Sequence, residues 1–313
     1  MIKVQGLVKW YGDRCAIRGV DFEVESGHVV GFLGLNGAGK TSILRMLAGD
    51  LEPSAGIIEV DGRQLFSDPQ AYRKAVGFLP EAVPLYLEMT VTEYLQFIGA
   101  LRGVSKSILR TRIPEVCERV AIEEYRHDPI RHLSHGFRKR LGIGSAIIHD
   151  PDLVILDEAI SGLDPVQIVE MRSLVRGLAG NHTVLVSSHI LTEISRTCDR
   201  ILVLKDGTIG ARGTEDELRA RFGDIRAIDL TVRGTEEAAT AAVQGITGVD
   251  GVKLTDKSNG AVQLRLSVTA DVREAVAAAV VGAGLGVLEL SRTEGELERA
   301  FLELTRADAE GQS

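Results

Sequence analysis

Gly34-Leu35-Asn36-Gly37-Ala38-Gly39-Lys40-Thr41 is the stretch whose reading decides the fold. It fits the spacing G-x-x-x-x-G-K-S/T, in which a glycine-rich turn aims backbone N–H groups at phosphate oxygens. The flanks agree. Val29-Val30-Gly31-Phe32-Leu33 reads as a buried strand, and Lys40 to Leu47 reads as a helix. A strand feeding a helix through such a turn sets the partial positive charge of the helix N-terminus against an anion. The pattern assigns Lys40 to the β- and γ-phosphates of a nucleotide and the Thr41 hydroxyl to Mg²⁺. Asn36, Gly37, Ala38, Gly39 and Ser42 complete the expected cradle. The competing reading is a glycine turn that binds nothing. Strand, loop, Lys-Thr pair and helix argue together against it.

Further along, Leu153-Val154-Ile155-Leu156-Asp157-Glu158 is an apolar run ending in two carboxylates. A buried parallel strand delivers its carboxyl end to the sheet edge where ligands bind in open α/β folds. Asp157 is expected to hold Mg²⁺, directly or through water, and Glu158 to polarise the water that attacks the γ-phosphate. Alone this pair is a weak pattern, because many such pairs merely face solvent. The phosphate loop upstream gives it meaning.

Between and around these motifs, strands and helices alternate. Val20, Phe22 and Val24 point one way while Asp21, Glu23 and Glu25 point the other, the period of a half-buried strand. Ile57 to Val60 reads as a strand closed by Asp61-Gly62, and residues 75–79 as a strand stopped by Pro80. Residues 90–125 read as helical, with apolar spacing at Val91, Leu95 and Ile98. Thr183 to Val186 is another buried strand, and residues 201–212 form a strand pair around Asp206-Gly207. This order predicts an α/β fold, a mainly parallel sheet with helices on its faces.

The composition shifts near residue 222, and Phe222-Gly223-Asp224 reads as a joint. Beyond it we expect strand 226–233, helix 235–245, strands 250–256 and 261–268, helix 271–283, strand 286–291 and helix 294–305. That β-α-β-β-α-β order suggests a small ferredoxin-like α+β domain over 223–306, with 307–313 a tail.

Composition narrows the partners. A net charge of −8 over 313 residues gives no general attraction to nucleic acid or anionic lipid. No apolar stretch has bilayer length, and Met1-Ile2-Lys3-Val4-Gln5 carries no leader pattern. The expectation is a cytoplasmic chain whose membrane role comes through a partner. Cys15, Cys117 and Cys198 stand alone, without a C-x-x-C pair, and the histidines lack metal-ligand spacing.

Leu133-Ser134-His135-Gly136-Phe137-Arg138-Lys139-Arg140 resembles the Leu-Ser-Gly-Gly-Gln signature of the ATP-binding subunits of ABC transporters. The resemblance spans about residues 2–220 and rests on several ordered motifs. It implies a P-loop NTPase of ABC type over 1–222, with an antiparallel β subdomain and a helical subdomain at about 84–150. By the same resemblance Tyr11 stacks on adenine; an aromatic packed at a strand end remains the alternative. Ser161-Gly162-Leu163-Asp164 fits the loop that contacts the opposite subunit, and His189 fits the histidine that contacts the γ-phosphate. The family implies a homodimer or heterodimer joined head to tail by ATP. Ser134 and the Gly136 N–H would wall the partner's γ-phosphate, and closure would drive a membrane permease.

The chain departs from the family pattern in four places. Glu81 stands where Gln is usual and is expected to ligate Mg²⁺ as a carboxylate. His135 replaces the first signature Gly, and Phe137 the Gln. Ala159-Ile160 replaces Pro-Thr after Glu158. His135 is either a cation near phosphate at low pH or, the reading preferred here, a solvent-facing side chain. None of these removes Lys40, Asp157, Glu158 or His189, so ATP hydrolysis is expected. Leu79-Pro80-Glu81, Leu85 to Glu93 and Ser187-Ser188-His189-Ile190-Leu191 resemble the ABC-2-type exporter branch. That resemblance implies a location on the inner face of the cell membrane, with the permease received by residues 84–135. The alternatives are a soluble ABC ATPase that drives assembly or remodelling, and a phosphoryl-transfer kinase. The signature-like segment and His189 argue against the kinase.

Overall fold

Alternating burial along the first two strands builds a layer. β1 (Ile2–Tyr11) pairs antiparallel with β2 (Arg14–Val24), setting Ile2 opposite Val24 and Val4 opposite Phe22. These side chains enter the core while Asp21 and Glu23 face water. β3 (Val29–Leu33), buried along its whole length, leads into α1 (Lys40–Leu47). β4 (Ala55–Val60) and β5 (Arg63–Gln64) complete a sheet of order β2-β1-β4-β5. α2 (Pro69–Lys74), capped by Asp68, precedes β6 (Val76–Leu79).

The computed structural model describes residues 1–222, 226–258 and 260–292. The chain divides into two units, Met1–Glu215 and Asp216–Ser313. In the first unit, the stretch expected to be helical over 90–125 is two helices, α3 (Val91–Leu101) and α4 (Lys106–Arg119). A capping box of Thr90 and Glu93 starts α3, and Ser105 caps α4. Periodicity carried across the gap because both helices bury apolar faces. α5 (His135–Ile147) then leads through β7 (Leu153–Leu156), α6 (Pro165–Leu178), β8 (Thr183–Ser188) and α7 (Leu191–Thr197). The hairpin of β9 (Arg200–Lys205) and β10 (Thr208–Gly213) follows.

The second sheet runs β10-β9-β3-β8-β7-β6, and β9 through β6 are parallel. Leu33 pairs with Ser188, and Leu79 with Leu156. The carboxyl ends of β3, β8, β7 and β6 therefore lie side by side. Helix α5 covers this sheet closely, since a Cβ on Gly77 of β6 would fall 2.0 Å from the Ala146 carbonyl oxygen. Glycine alone permits that approach.

In the second unit, α8 (Glu215–Phe222) begins at the division. β11 (Arg226–Arg233), α9 (Glu236–Val243), β12 (Val249–Ser258), β13 (Ala261–Val268), α10 (Arg273–Gly282) and β14 (Gly286–Arg292) follow. The sheet order is β12-β13-β11-β14, antiparallel throughout. Val262, Leu264, Leu266 and Val268 share one core with Ala239 and Val243 of α9 and with Val276 and Val280 of α10. Both helices thus pack on one sheet face, the ferredoxin-like arrangement. Residues 223–225, the expected helix 294–305 and the tail 307–313 lie outside the described residues. α2 and β5 were not anticipated, because runs of 6 and 2 residues are too short to show a period.

Candidate nucleotide site

Four strand ends meeting at one sheet edge bring together residues far apart in sequence. The phosphate loop follows β3, Glu81 follows β6, Asp157 and Glu158 follow β7, and His189 follows β8. Gly39 is the residue before α1 and has φ +105°. A Cβ there would fall 2.5 Å from Ile17 Cδ1, so conformation and space both demand glycine.

A cleft of about 540 Å³ opens over this edge. From the loop it is lined by Asn36, Gly37, Gly39, Lys40, Thr41 and Ser42. Tyr11, Glu81, Glu158, Ser161 and His189 form other parts of its wall. Ala38 is different. Its methyl joins the core and its N–H donates to the Leu35 carbonyl at 3.1 Å.

Lys40 is only 6% exposed. Its Nζ donates to the Gly34 carbonyl at 2.8 Å and the Leu35 carbonyl at 3.4 Å, and lies 3.6 Å from Glu158 Oε1. The cation is thus held across the loop. The other carboxylate oxygen of Glu158 lies 3.1 Å from His189 Nδ1. Tyr11 is half exposed, with its hydroxyl 3.1 Å from Ser42 Oγ and Lys9 Nζ 5.5 Å from its ring centre.

Glu158 adopts left-handed backbone, φ +50°, which costs a non-glycine residue roughly 1–2 kcal/mol. Three neighbours hold it. Its N–H donates to Ser187 Oγ at 2.8 Å, and its carbonyl accepts from Lys139 Nζ at 2.9 Å and from the Ser161 N–H at 3.3 Å. Ser187 Oγ in turn donates to Asp157 Oδ1 at 2.6 Å. Asp157 is 1% exposed and, like Ser187, lies outside the cleft lining. Burial lowers the Lys139 pKa from its ordinary value, while Glu158, Glu193 and Glu81 pull it back up.

A chain of N–H donors, hydroxyls and one cation, ending at an aromatic ring, suits a nucleoside triphosphate. Among the described residues no three His, Cys, Asp or Glu side chains converge to hold a metal ion by themselves. Thr41 and Glu81 line the same cleft. A hydroxyl and a carboxylate suit a hard cation that arrives on phosphate oxygens.

Comparison with known proteins agrees with this chemistry. A family model described as ABC transporter matches residues 17–161. The linearmycin resistance ATP-binding protein LnrL of Bacillus subtilis (strain 168) is 31% identical over 310 residues, covering 97% of this chain and 98% of that protein. The chain belongs to the ABC transporter ATP-binding family. The daunorubicin resistance ATP-binding protein DrrA3 of Streptomyces coeruleorubidus is 34% identical over 309 residues, covering 98% of this chain and 96% of that protein. A solved structure described as an ATP binding subunit of an ABC transporter is 31% identical, with a TM-score of 0.64, covering 71% of this chain and 93% of that one. This chain is accordingly an ABC ATPase that drives a membrane permease.

The ABC signature segment is not part of this cleft. Ser134 caps α5, accepting from the Phe137 N–H at 3.3 Å, and is exposed. Gly136 is buried, and a Cβ there would fall 2.9 Å from Gln167 Oε1. Neither lines the cleft of its own chain. His135 is exposed beside Gly162. Phe137 packs on Tyr125 at a centroid distance of 4.4 Å, so its ring serves the helical segment. Sequence reasoning missed Lys139, Ser187 and Glu193, each buried near the site. The available signal was polarity: Ser187 ends an apolar strand, and Lys139 is a charge inside a helix that buries its neighbours.

Proposed function

We propose that this ABC ATPase powers an exporter and works as a dimer closed by ATP. The reach of the similarity carries the reading. It runs through 97% and 98% of the chain in relatives named for linearmycin and daunorubicin resistance, so the C-terminal unit shares in the likeness. We take residues 1–222 as the ATP-binding domain and 223–306 as an accessory domain.

The roles follow from the geometry. Lys40 exchanges the Gly34 and Leu35 carbonyls for the β- and γ-phosphates. The loop N–H groups, Thr41 and Ser42 receive the other phosphate oxygens, and Tyr11 stacks on adenine with the ring face away from Lys9. Thr41 and Glu81 would hold Mg²⁺, with Asp157 acting through water, and the ion would neutralise phosphate charge. Water attacks the γ-phosphorus and passes its proton to Glu158, the bond to the bridging oxygen breaks, and ADP and phosphate result. His189, against Glu158, contacts the γ-phosphate. Ser134 and the Gly136 N–H serve the nucleotide of a second copy or a related subunit, which accounts for their place outside their own cleft.

An apolar ledge for the permease is available on the helical segment. Tyr86, Leu87, Phe97 and Leu101 are exposed there, and the Tyr86 and Phe97 rings meet edge to face at 5.5 Å. No helix among the described residues is long and apolar enough to cross a membrane. Because it is the ATP-binding subunit of a transporter, we place the chain in the cytoplasm, held to the inner face of the membrane by that contact. The test is to capture the Glu158→Gln protein from native membranes with Mg·ATP and identify what co-purifies. A multi-span membrane protein is the expected result. A complex of soluble proteins only would move the reading to an assembly or remodelling ATPase.

A further inference from the structure

Lys139 has no part in the nucleotide chemistry above, yet it is a lysine with 5% exposure directly behind Glu158. Its two acceptors are backbone carbonyls, those of Glu158 at 2.9 Å and of Ser161. Those carbonyls bracket the turn that follows β7, which the Ser161 N–H closes on the Glu158 carbonyl at 3.3 Å. The turn begins with the left-handed backbone of Glu158, φ +50°. Such a conformation in a non-glycine residue persists only where its surroundings over-determine it. One ammonium group gripping both ends of the turn is such a determinant.

The lysine also links two regions. It lies on α5, five positions after Ser134, or about 7–8 Å along the helix axis. Helix α5 is rigidly seated on the parallel sheet, because its Gly142 leaves no room beside Leu79 and Val83 for a side chain. After β8, the buried carboxylate of Glu193 accepts from Ser188 Oγ at 2.6 Å, and Ser188 Oγ accepts from the Ile190 N–H at 3.0 Å. That arrangement fixes the turn carrying His189. Negative charge from Glu158, Glu193 and Glu81 acts on the Lys139 cation, which favours keeping it in a buried place.

We propose that Lys139 is a positioning residue that ties the signature helix to the backbone of Glu158, so that docking of this helix on a partner's nucleotide aims the carboxylate at the attacking water. The proposal rests on the reading of Glu158 as the proton acceptor and of the α5 N-terminus as the wall of a partner's site. Lys139 itself does not line the cleft, so its role is positional.

Two substitutions in the full chain test it, with Glu158→Gln beside them. Lys139→Met keeps an unbranched stem, ends one bond short of the ammonium and cannot donate. Lys139→Gln keeps a donor one bond shorter, able to reach one carbonyl. Misplacing a reacting group by about 1 Å costs up to about 100-fold, so kcat for Mg·ATP is expected to fall about 30–100-fold in Lys139→Met. KM and equilibrium ATP affinity should stay within about threefold, since only a step after binding is affected. Lys139→Gln should fall between Lys139→Met and the native chain. A native kcat in Lys139→Met overturns the proposal, as does a parallel loss of kcat, ATP binding and melting temperature, which would mark a merely structural lysine. If Lys139→Met does not fold, Lys139→Gln decides, and a native kcat there overturns the proposal. Native turnover in Glu158→Gln would instead remove the reading of Glu158 on which the proposal stands.

Discussion

Glu158→Gln removes one charge and almost no volume, and the structure predicts opposite consequences for two measurable quantities. A general base contributes about 10²–10⁴ in rate, equivalent to about 3–5 kcal/mol of barrier. The amide cannot take the proton, so kcat should fall at least about 100-fold. Binding should move the other way. Lys40 Nζ lies 3.6 Å from Glu158 Oε1, an attraction of about 4–5 kcal/mol at an effective dielectric constant of 20. A triphosphate must compete with that attraction for the same cation. Both side chains are buried, and the cost of desolvating them offsets most of it, leaving about 1 kcal/mol to be released by the substitution. ATP affinity should therefore rise about fivefold. Phosphate release at saturating Mg·ATP gives kcat, and titration with a fluorescent nucleotide gives the affinity. A kcat within about twofold of native would refute the assignment of the base. A fall in affinity parallel to the fall in kcat would make Glu158 a binding group, and the reasoning about Lys40 would fail with it.

Two further outcomes are expected. Lys40→Ala should weaken Mg·ATP binding at least tenfold, about 1.4 kcal/mol or more for a lost charge-assisted contact; equilibrium titration with native affinity would remove the phosphate-loop reading. His149 is half-buried, its Nε2–H donates to the Val76 carbonyl at 3.2 Å, and its pKa is pushed down to about 4, chiefly by burial and further by Arg102. The unfolded chain binds this proton near pH 6.5. Its stabilising effect is therefore full above pH 6.5 and is lost as pH falls from there toward 4, by about 3 kcal/mol in all. Melting from pH 7 to 4.5 should decline more steeply for the native chain than for His149→Gln, and parallel curves would contradict the burial account.

Much of the site was legible because its parts are local. A phosphate loop is a contiguous set of glycines, a lysine and a hydroxyl between a strand and a helix, and all of that is written in the residues from Val29 to Leu47. The pair Asp157-Glu158 was legible for the same reason, since it ends a short apolar strand, whereas His189 was placed by resemblance to the family's histidine. The C-terminal strands showed themselves by alternation, as in Val262, Leu264, Leu266 and Val268, which are buried on one face. The break between α3 and α4 is written locally in Gly103, φ +81°, and in the capping Ser105, but the apolar faces of both helices masked it. α2 was missed because one and a half turns carry no period.

By itself the sequence determined which residues are chemically able to hold phosphate, Mg²⁺ and a reacting water, since identity and local spacing settle that much. The tertiary structure decided which of them share a cleft. Only sheet order β3-β8-β7-β6 sets Lys40 3.6 Å from Glu158 across 118 residues of chain (158 − 40). Burial likewise separated two adjacent carboxylates, leaving Asp157 bonded to Ser187 outside the cleft lining and Glu158 on the cleft wall. It also gave Lys139, one charge among several in its helix, two carbonyls of a distant turn. Hydrogen bonds and ion pairs depend on distances of a few tenths of an ångström, and those distances exist only once the strands have paired and the helix has packed.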